Sequence, residues 1–554
     1  MSKISYKQII SSIALGILTA FILFYIFTPA INVFSVGFWI YLAVVLFAFF
    51  APFIFSGFEA TNENANYGNP FKTKKSFKFK KSKLRIILVV LTILPIVIVI
   101  LGQFFSSTIL FATRYASVIS VKESVFEEDL PETSEITNIA LMDSASATML
   151  GNKTLGSLSD VVSQYDVGDS YTQINYQGSP KKVANLEYDD FFKWIGNCSS
   201  GVPGMVMVDP VKSNAEYIEF KSPMYYVDSA FFNQDLTRKL RFSYPTKIFN
   251  SISFEIDDNG NPFYIVSCAT PQVSLFGAMD ITEVIIFDPC TGESTIHDVK
   301  DAPSWIDIVY TGDLASEKYN WHGTLSGGFI NSIIGNKGCK QTTDDFGYIA
   351  LGDDVWYFTG VTSVSGDQSN IGFILSNART GEYKFYPVIG AEEHSAMAAA
   401  AGEVQEKGYV ASFPSLVNVS SQPTYIMVLK DAAGLVKLYA LVNVENYSIV
   451  ATGSTQQEAM TAYKKLLAQN NIDTSEKNES VTITVENVRL AMVADVSTVY
   501  ITDTTGKVYK GYLEADESLI LIRVGDVIVL KYTESDIDNL YFITSWNFAS
   551  DDTN

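Results

Sequence analysis

Three long apolar runs dominate the start of the chain. Residues 9–27, 36–58 and 86–105 carry no charged side chain. About twenty residues rising ~1.5 Å each reach across a hydrocarbon core of roughly 30 Å, so the runs predict three membrane-spanning helices. Pro52 predicts a kink in the second, and Pro95 falls inside the third. Tyr25, Trp39 and Tyr41 lie near the ends of the runs, where amphipathic rings favour the membrane–water interface. The first run follows Lys3 and Lys7 but ends at Thr28-Pro29 without a small-residue cleavage site. It therefore reads as a retained span and not as a signal peptide. Residues 29–35 are too few for a domain and predict a tight turn.

Beyond residue 105 the pattern shortens. Residues 106–130 run from apolar to charged, with Arg114, Lys122, Glu123, Glu127, Glu128 and Asp129. They predict a juxtamembrane helix or stalk, broken at Pro131. Short strands follow within 160–176, at 204–208 and at 215–220. One helix is predicted over 186–195, because Tyr188, Phe191, Phe192 and Ile195 fall at i, i+3, i+4 and i+7 behind Asn185 as cap. Such a stripe is expected to face a core.

From residue 252 the chain repeats itself. In the first copy, strands at 254–256, 263–266 and 283–287 lead into Asp288-Pro289-Cys290-Thr291-Gly292-Glu293, a strand at 294–299 and a predicted helix over 303–310. In the second, strands at 348–351, 355–359 and 371–375 lead into Asn377-Ala378-Arg379-Thr380-Gly381-Glu382, a strand at 383–388 and a helix over 391–404. The two Thr-Gly-Glu turns stand 89 residues apart. Between the copies, Trp321-His322-Gly323 to Gly328 predicts a flexible linker. A third copy, with strands at 424–429, 436–443 and 447–452, lacks that turn. Thr455 and Glu458 then make a capping box that opens a helix through Leu467. Finally, strands at 481–485, 499–502, 508–513, 519–522, 527–532 and 541–544 predict a small OB- or SH3-like β-barrel.

The implied division is a membrane domain over 1–113 with a basic loop at 59–85, a juxtamembrane stalk at 114–135 and an α+β part at 136–250. Repeats follow at 251–475, then the small barrel at 476–548 and a tail at 549–554. The fold class is a three-helix multi-pass anchor carrying an α+β region of strand–turn–strand–helix repeats and a C-terminal barrel.

Charge orients this layout. The net charge is −21, but residues 1–85 hold ten basic and two acidic groups, leaving 29 basic and 58 acidic beyond. Basic loops stay cytoplasmic. Lys72, Lys74, Lys75, Lys78, Lys80, Lys81, Lys83 and Arg85 thus place the amino terminus and the loop inside and everything after residue 105 outside. Anionic lipid headgroups are the expected partners of those lysines. The acidic body excludes a nucleic-acid partner, since phosphate neutralisation needs the opposite sign.

Catalytic, cofactor and metal signatures are missing from the sequence. His297, His322 and His394 are far apart, and Cys198, Cys268, Cys290 and Cys339 form no CxxC or Cys/His cluster. Their pairing is open, free buried thiols included. Asp345-Phe346-Gly347 lacks the other parts of a kinase site. Residues 257–261 lack the Glu-terminated frame of a calcium loop and predict a hairpin turn. Asp353-Asp354 and Glu392-Glu393 are adjacent in sequence and do not by themselves make an acid/base pair.

A strand pair whose second member ends in an Asp/Asn-x-x-Thr-Gly-Glu turn, as at 284–293 and 372–382, resembles the PepSY domain of bacterial exported proteins. The whole layout resembles large membrane-anchored proteins of the bacterial envelope. The resemblance covers about 200 of the 554 residues and implies a non-catalytic α+β module of inhibitory or regulatory kind. The expectation is an extracytoplasmic binding, scaffold or regulatory protein that contacts a protein, peptide or wall component and needs no cofactor. The alternatives are an envelope hydrolase whose acids meet only in the fold and, last, a transport-complex component, disfavoured because the spans hold no charge.

Overall fold

The computed structural model describes residues 6–55, 58–63, 74–79, 83–133, 144–212, 214–343, 345–364, 369–470, 472, 480–493, 496–513, 516–534 and 539–549. Lys72, Lys80 and Lys81 of the basic loop, Ser213 and residues 550–554 of the tail lie outside the described residues.

Helices α1 (Tyr6–Phe27), α2 (Val36–Phe55) and α3 (Lys83–Phe105) are each long and apolar enough to cross a membrane. They pack in sequence, α1 on α2 and α2 on α3. Gly16 permits the first contact, since a Cβ there would meet the Phe49 ring at 2.7 Å. The second helix stops at Phe55, short of the expected 58, because Phe58–Glu63 is already a strand. It pairs antiparallel with Lys74–Phe79 inside the basic loop.

After α3 the chain bends at Ser106-Ser107 into α4 (Thr108–Ala116), which buries Ala112, Tyr115 and Ala116. The next segment is no free stalk. Val121–Glu123 adds in parallel to the strand Tyr383–Tyr386, and Phe126 and Leu130 are buried in the body. The Glu132 carboxylate accepts the amides of Ser420 and Ser421. Within the expected helix or stalk, residues 121–133 are thus stitched along the body, Ser124 N–H donating to Phe385 O and Thr133 N–H to Asn418 O.

The body is a succession of antiparallel sheets. The first covers residues 165–224 in five strands, with α5 (Ser144–Gly156) against it. A helix also lies in this part, but not over 186–195. The strand Ser179–Tyr188 continues through Tyr188, which pairs with Tyr165, and α6 spans only Phe191–Asn197. Its cap is Asp190, whose Oδ1 accepts from Phe192 and Lys193 amides (2.7 and 2.8 Å). The core-facing residue is Trp194, while Phe192 and Ile195 are exposed.

Helix α7 (Leu236–Ser243) precedes the second sheet, a four-stranded meander over 249–298. Its inner face shares one core with the first sheet: Phe254, Tyr264 and Ile285 pack among Val183, Met205 and Val206. Residues 303–310 form no helix. Helix α8 begins later (Gly312–Leu325) and runs through Trp321, His322 and Gly323, which were expected in a flexible linker. Gly323 is needed for closeness and not for mobility, since a Cβ would lie 2.3 Å from Lys340 O. Ala315 and Tyr319 of α8 cover the third sheet, strands within 340–391 plus 121–123. Helix α9 (Glu393–Gly402) buries Ala396 and Ala400 between the third sheet and the fourth, within 410–453. Helix α10 (Gln456–Gln469) closes the other face of the fourth sheet with Met460, Tyr463 and Leu467. Glu458 N–H donates to Thr455 Oγ1 (3.1 Å), but the Glu458 carboxylate reaches back to Ser454 N (3.0 Å), one residue earlier than the capping box expects.

The last unit is a closed barrel of five strands. Ser480–Val493, Val496–Asp503, Val508–Tyr512, Leu540–Phe548 and Val527–Glu534 are neighbours in that order, and the last returns to the first. The sixth expected strand, at 519–522, is a 3₁₀ turn, Glu517–Leu521, that buries Leu519 in the barrel core.

Candidate functional site

The two Thr-Gly-Glu turns adopt the same hydrogen bonds. Asp288 N–H donates to Glu293 O (2.9 Å) and Gly292 N–H to Asp288 O (2.8 Å); Asn377 and Gly381 do the same with Glu382 and Asn377 (2.9 Å each). The first side chain of each turn then accepts the next amides: Cys290 and Thr291 on Asp288 Oδ1, Arg379 and Thr380 on Asn377 Oδ1. This is why the position must be Asp or Asn. The glycines sit at φ +77° and +72°, a conformation open to Gly at no steric cost.

Each turn also docks backwards on the chain. Pro289 O accepts the amides of Tyr225 and Tyr226 (2.8 and 3.2 Å), and Ala378 O accepts those of Val309 and Tyr310 (2.9 and 2.7 Å). Gly292 packs on the Tyr226 ring and Gly381 on the Tyr310 ring. The third copy lacks the motif but keeps the joint, since Val444 O accepts Ala391 N–H (2.8 Å). A docked dipeptide precedes α7 and α8, and the single docked amide of Ala391 precedes α9. Each docked segment thus leads through a helix into a largely antiparallel sheet, of four strands at 249–298 and of seven and five strands in the next two, and a turn of that sheet returns to the segment.

One of these joints contains the most strongly perturbed acids of the body. Glu255, fully buried on the second sheet, accepts Asp307 N–H at Oε2 (2.8 Å) and Ile308 N–H at Oε1 (3.0 Å). Asp307, also buried, accepts Asn175 N–H from the first sheet (2.8 Å), and Asn175 Nδ2 donates to Gly352 O of the third sheet (3.1 Å). Ser267 Oγ donates to Val309 O (2.7 Å). Residues 307–310 thus strap three sheets together. Burial pushes the Glu255 carboxyl up to about 7, against the pull of its two amide donors. Burial, followed by the neighbouring Glu255 charge, pushes Asp307 up to about 8. Two raised carboxyls side by side are a signature of acid/base chemistry. Here both are sealed among sheets and spend their oxygens on backbone amides.

The other residues singled out from sequence are engaged separately. Asp354 is bound by Arg379 (2.6 and 2.9 Å) and by Asn377 Nδ2 (2.7 Å). Glu393, buried at the start of α9, accepts Gly360 N–H (2.6 Å). His322 Nδ1–H donates to Ala116 O (2.9 Å), joining α8 to α4; His297 pairs with Thr295 Oγ1 and His394 is exposed. Asp257 Oδ1 accepts the amides of Asn259 and Asn261, so its turn spends on itself the oxygen a cation would use. Among the described residues, no three His, Cys, Asp or Glu are grouped to hold a metal ion. All four cysteines are free thiols, and burial pushes Cys268 and Cys290 up to about 12, far from reactive thiolates.

Comparison with known proteins adds little. No family model matches the chain, and no curated protein matches it. Among solved structures, an α-L-arabinanase of Penicillium chrysogenum complexed with arabinobiose aligns at 7% identity over 68% of this chain and 83% of that one. Its TM-score of 0.14 is too low to carry an argument about fold or function.

Proposed function

We propose that the chain is a membrane-anchored binding or scaffold protein of the bacterial envelope, with its body outside the cytoplasm and no catalytic role. The observation that carries this reading is the recurring unit closed by a docked turn. Its conspicuous acids, Glu255, Asp307, Asp354 and Glu393, all hold backbone or neighbouring side chains. Such a body builds surface and rigidity, and these four acids are spent on holding it together. The two identical turns support the PepSY-like reading of the units. The barrel's strand order, with parallel pairing of Val508–Tyr512 to Leu540–Phe548, supports an OB-like over an SH3-like reading. The basic loop contacts anionic lipid on the inner face. The partner outside is a protein, peptide or wall component.

Photo-crosslinking in living cells from exposed body positions such as Tyr447, with identification of the adducts, tests this. A recurrent protein, peptide or wall adduct is the expected outcome. Turnover of a wall polymer or peptide that disappears in Glu255→Gln or Asp307→Asn, with folding intact, would overturn it in favour of the hydrolase reading, which the raised pair of carboxyls motivates.

A further inference from the structure

We propose that two apolar patches on the body sit in the lipid headgroup layer, so that the body rests on the bilayer instead of being held clear of it. The first lies beside the end of α1. The Phe242 ring of α7 stacks on Phe24 (5.2 Å between centroids, edge to face) and approaches Tyr25 (6.4 Å). Phe24 lies three residues, or ~4.5 Å, inside the end of an apolar span. A body side chain in contact with it is at membrane depth. Phe232 continues this surface, and through Trp194 (5.6 Å) it joins the exposed face of α6, Phe192 and Ile195. Phe192, Ile195, Phe232 and Phe242 are 77%, 51%, 54% and 51% exposed. That is an exceptional cost in water for four large apolar side chains grouped together.

The second patch lies beside the end of α3. Phe276, at the tip of a hairpin of the second sheet, packs where a Cβ on Gly102 would stand 2.3 Å from its ring, again inside a span. Its amide donates to Ser106 Oγ (3.0 Å). Helix α4 leaves this point with Ile109 and Leu110 outward, and its buried side packs with Leu325 and Phe329. The following turn presents Ile330, Ile333 and Ile334, 71%, 60% and 79% exposed. The turn between α1 and α2 closes the same surface: Ile31 N–H donates to Pro245 O (2.7 Å) and Asn32 Nδ2 to Thr246 O (2.8 Å).

Charge points the same way. The body is acidic, yet α6, α7, residues 106–119 and residues 328–339 contain no acid and carry Lys193, Arg238, Lys239, Arg114 and Lys337 besides the buried Arg241. The nearest acids, Asp190 and Asp235, are turned into the starts of α6 and α7 as caps. Arg238 reaches a carbonyl in the last turn of α1, Nε to Tyr25 O (3.1 Å), and Arg241 one just beyond the helix, Nε to Thr28 O (2.9 Å). A cationic rim around exposed Phe and Ile is the composition of a segment lying in an interface with anionic phosphate. The occupant is the phospholipid bilayer that holds the spans.

The test uses the full chain in nanodiscs of phosphatidylcholine and phosphatidylglycerol. A benzophenone phenylalanine analogue is placed at position 192, 334 or 521. Leu521 is equally apolar and 59% exposed, but sits on the barrel, which packs against α10 through Lys465 and Tyr512. After irradiation, peptide mass spectrometry is expected to find phospholipid adducts at 192 and 334 at least tenfold above 521. Adduct levels at 192 and 334 equal to those at 521 would overturn the proposal. So would crosslinking in native membranes exclusively to protein. Because each analogue replaces an exposed apolar side chain by another, a folding failure is detected independently by the elution volume of the nanodisc and by the melting temperature.

Discussion

At the scale of single residues, the turns are where sequence and structure agree most closely. Asp257-x-x-Gly260, Asp431-x-x-Gly434 and Asp503-x-x-Gly506 all have the Asp carboxylate accepting two amides of its own turn and Gly at positive φ. That chemistry is local, so it is legible from a handful of residues. What the glycines touch is not local. Gly381→Ala meets both an unfavourable φ and the Tyr310 ring at 2.9 Å, whereas Gly178→Ala, at φ +74°, meets nothing within 4 Å. The first is expected to cost ~2–3 kcal/mol and the second about 1, read as loss of thermal stability. Tyr310→Ala should erase most of the difference between them, which a double-mutant cycle measures.

The buried pair makes a second prediction at this scale. Both folded-state values, about 7 for Glu255 and about 8 for Asp307, lie above those of the unfolded chain. Between roughly pH 4 and 8 the folded state therefore holds more protons, and stability falls as pH rises through that window, then levels. The drop is expected to be several kcal/mol, with an upper bound on the order of 9 kcal/mol if both shifts count in full. A melting temperature that falls from pH 5 to pH 8 in the natural chain, and changes less in Glu255→Gln/Asp307→Asn, is the expected result.

At the scale of elements, the misreadings have one cause: a partner far away in sequence. Residues 303–310 have no helix because the amides of Asp307, Ile308, Val309 and Tyr310 go to Glu255 and Ala378 instead of to an i−4 carbonyl. The stripe Tyr188, Phe191, Phe192, Ile195 has helical spacing, yet Tyr188 ends a strand and only three members lie on α6. No local pattern separates the two, since helix and strand periods coincide over so few residues. Nor does it announce that a helix of the body caps a span. The Arg241 guanidinium is buried, holding Thr28 O, Tyr244 O and Lys247 O, with Phe249 4.0 Å beneath it. Arg241→Met leaves these carbonyls without a donor and is expected to cost ~2–4 kcal/mol locally. Hydrogen exchange should accelerate over α7 and residues 29–35, and Arg241→Lys should restore only part of the protection, a single ammonium being unable to span three acceptors.

At the scale of the whole molecule, the spans were legible because length and apolarity suffice to identify them, and the described helices match to within three residues at each boundary. The joints between units were not, because their hydrogen bonds connect residues 53 to 69 positions apart. Orientation is the property on which the proposed function rests most heavily. Among the described residues, the hydrogen bonds and ring contacts between spans and body lie at one end, where α1 and α3 finish. The strand pair 58–63 and 74–79 of the basic loop follows the opposite end of α2, so the two regions face opposite sides of the membrane whichever way the protein is inserted. The choice is then between retaining eight cationic side chains of the loop and its flank inside and exporting them. Maleimide applied to intact cells is expected to modify Tyr447→Cys and to leave Ser76→Cys unmodified until the membrane is permeabilised. Reading the products by peptide mass spectrometry keeps the native Cys198 and Cys290 from obscuring the result. The reverse pattern would put the acidic body in the cytoplasm and remove the envelope partner with it, while the seating of the body on the bilayer, which depends only on which ends meet, would stand.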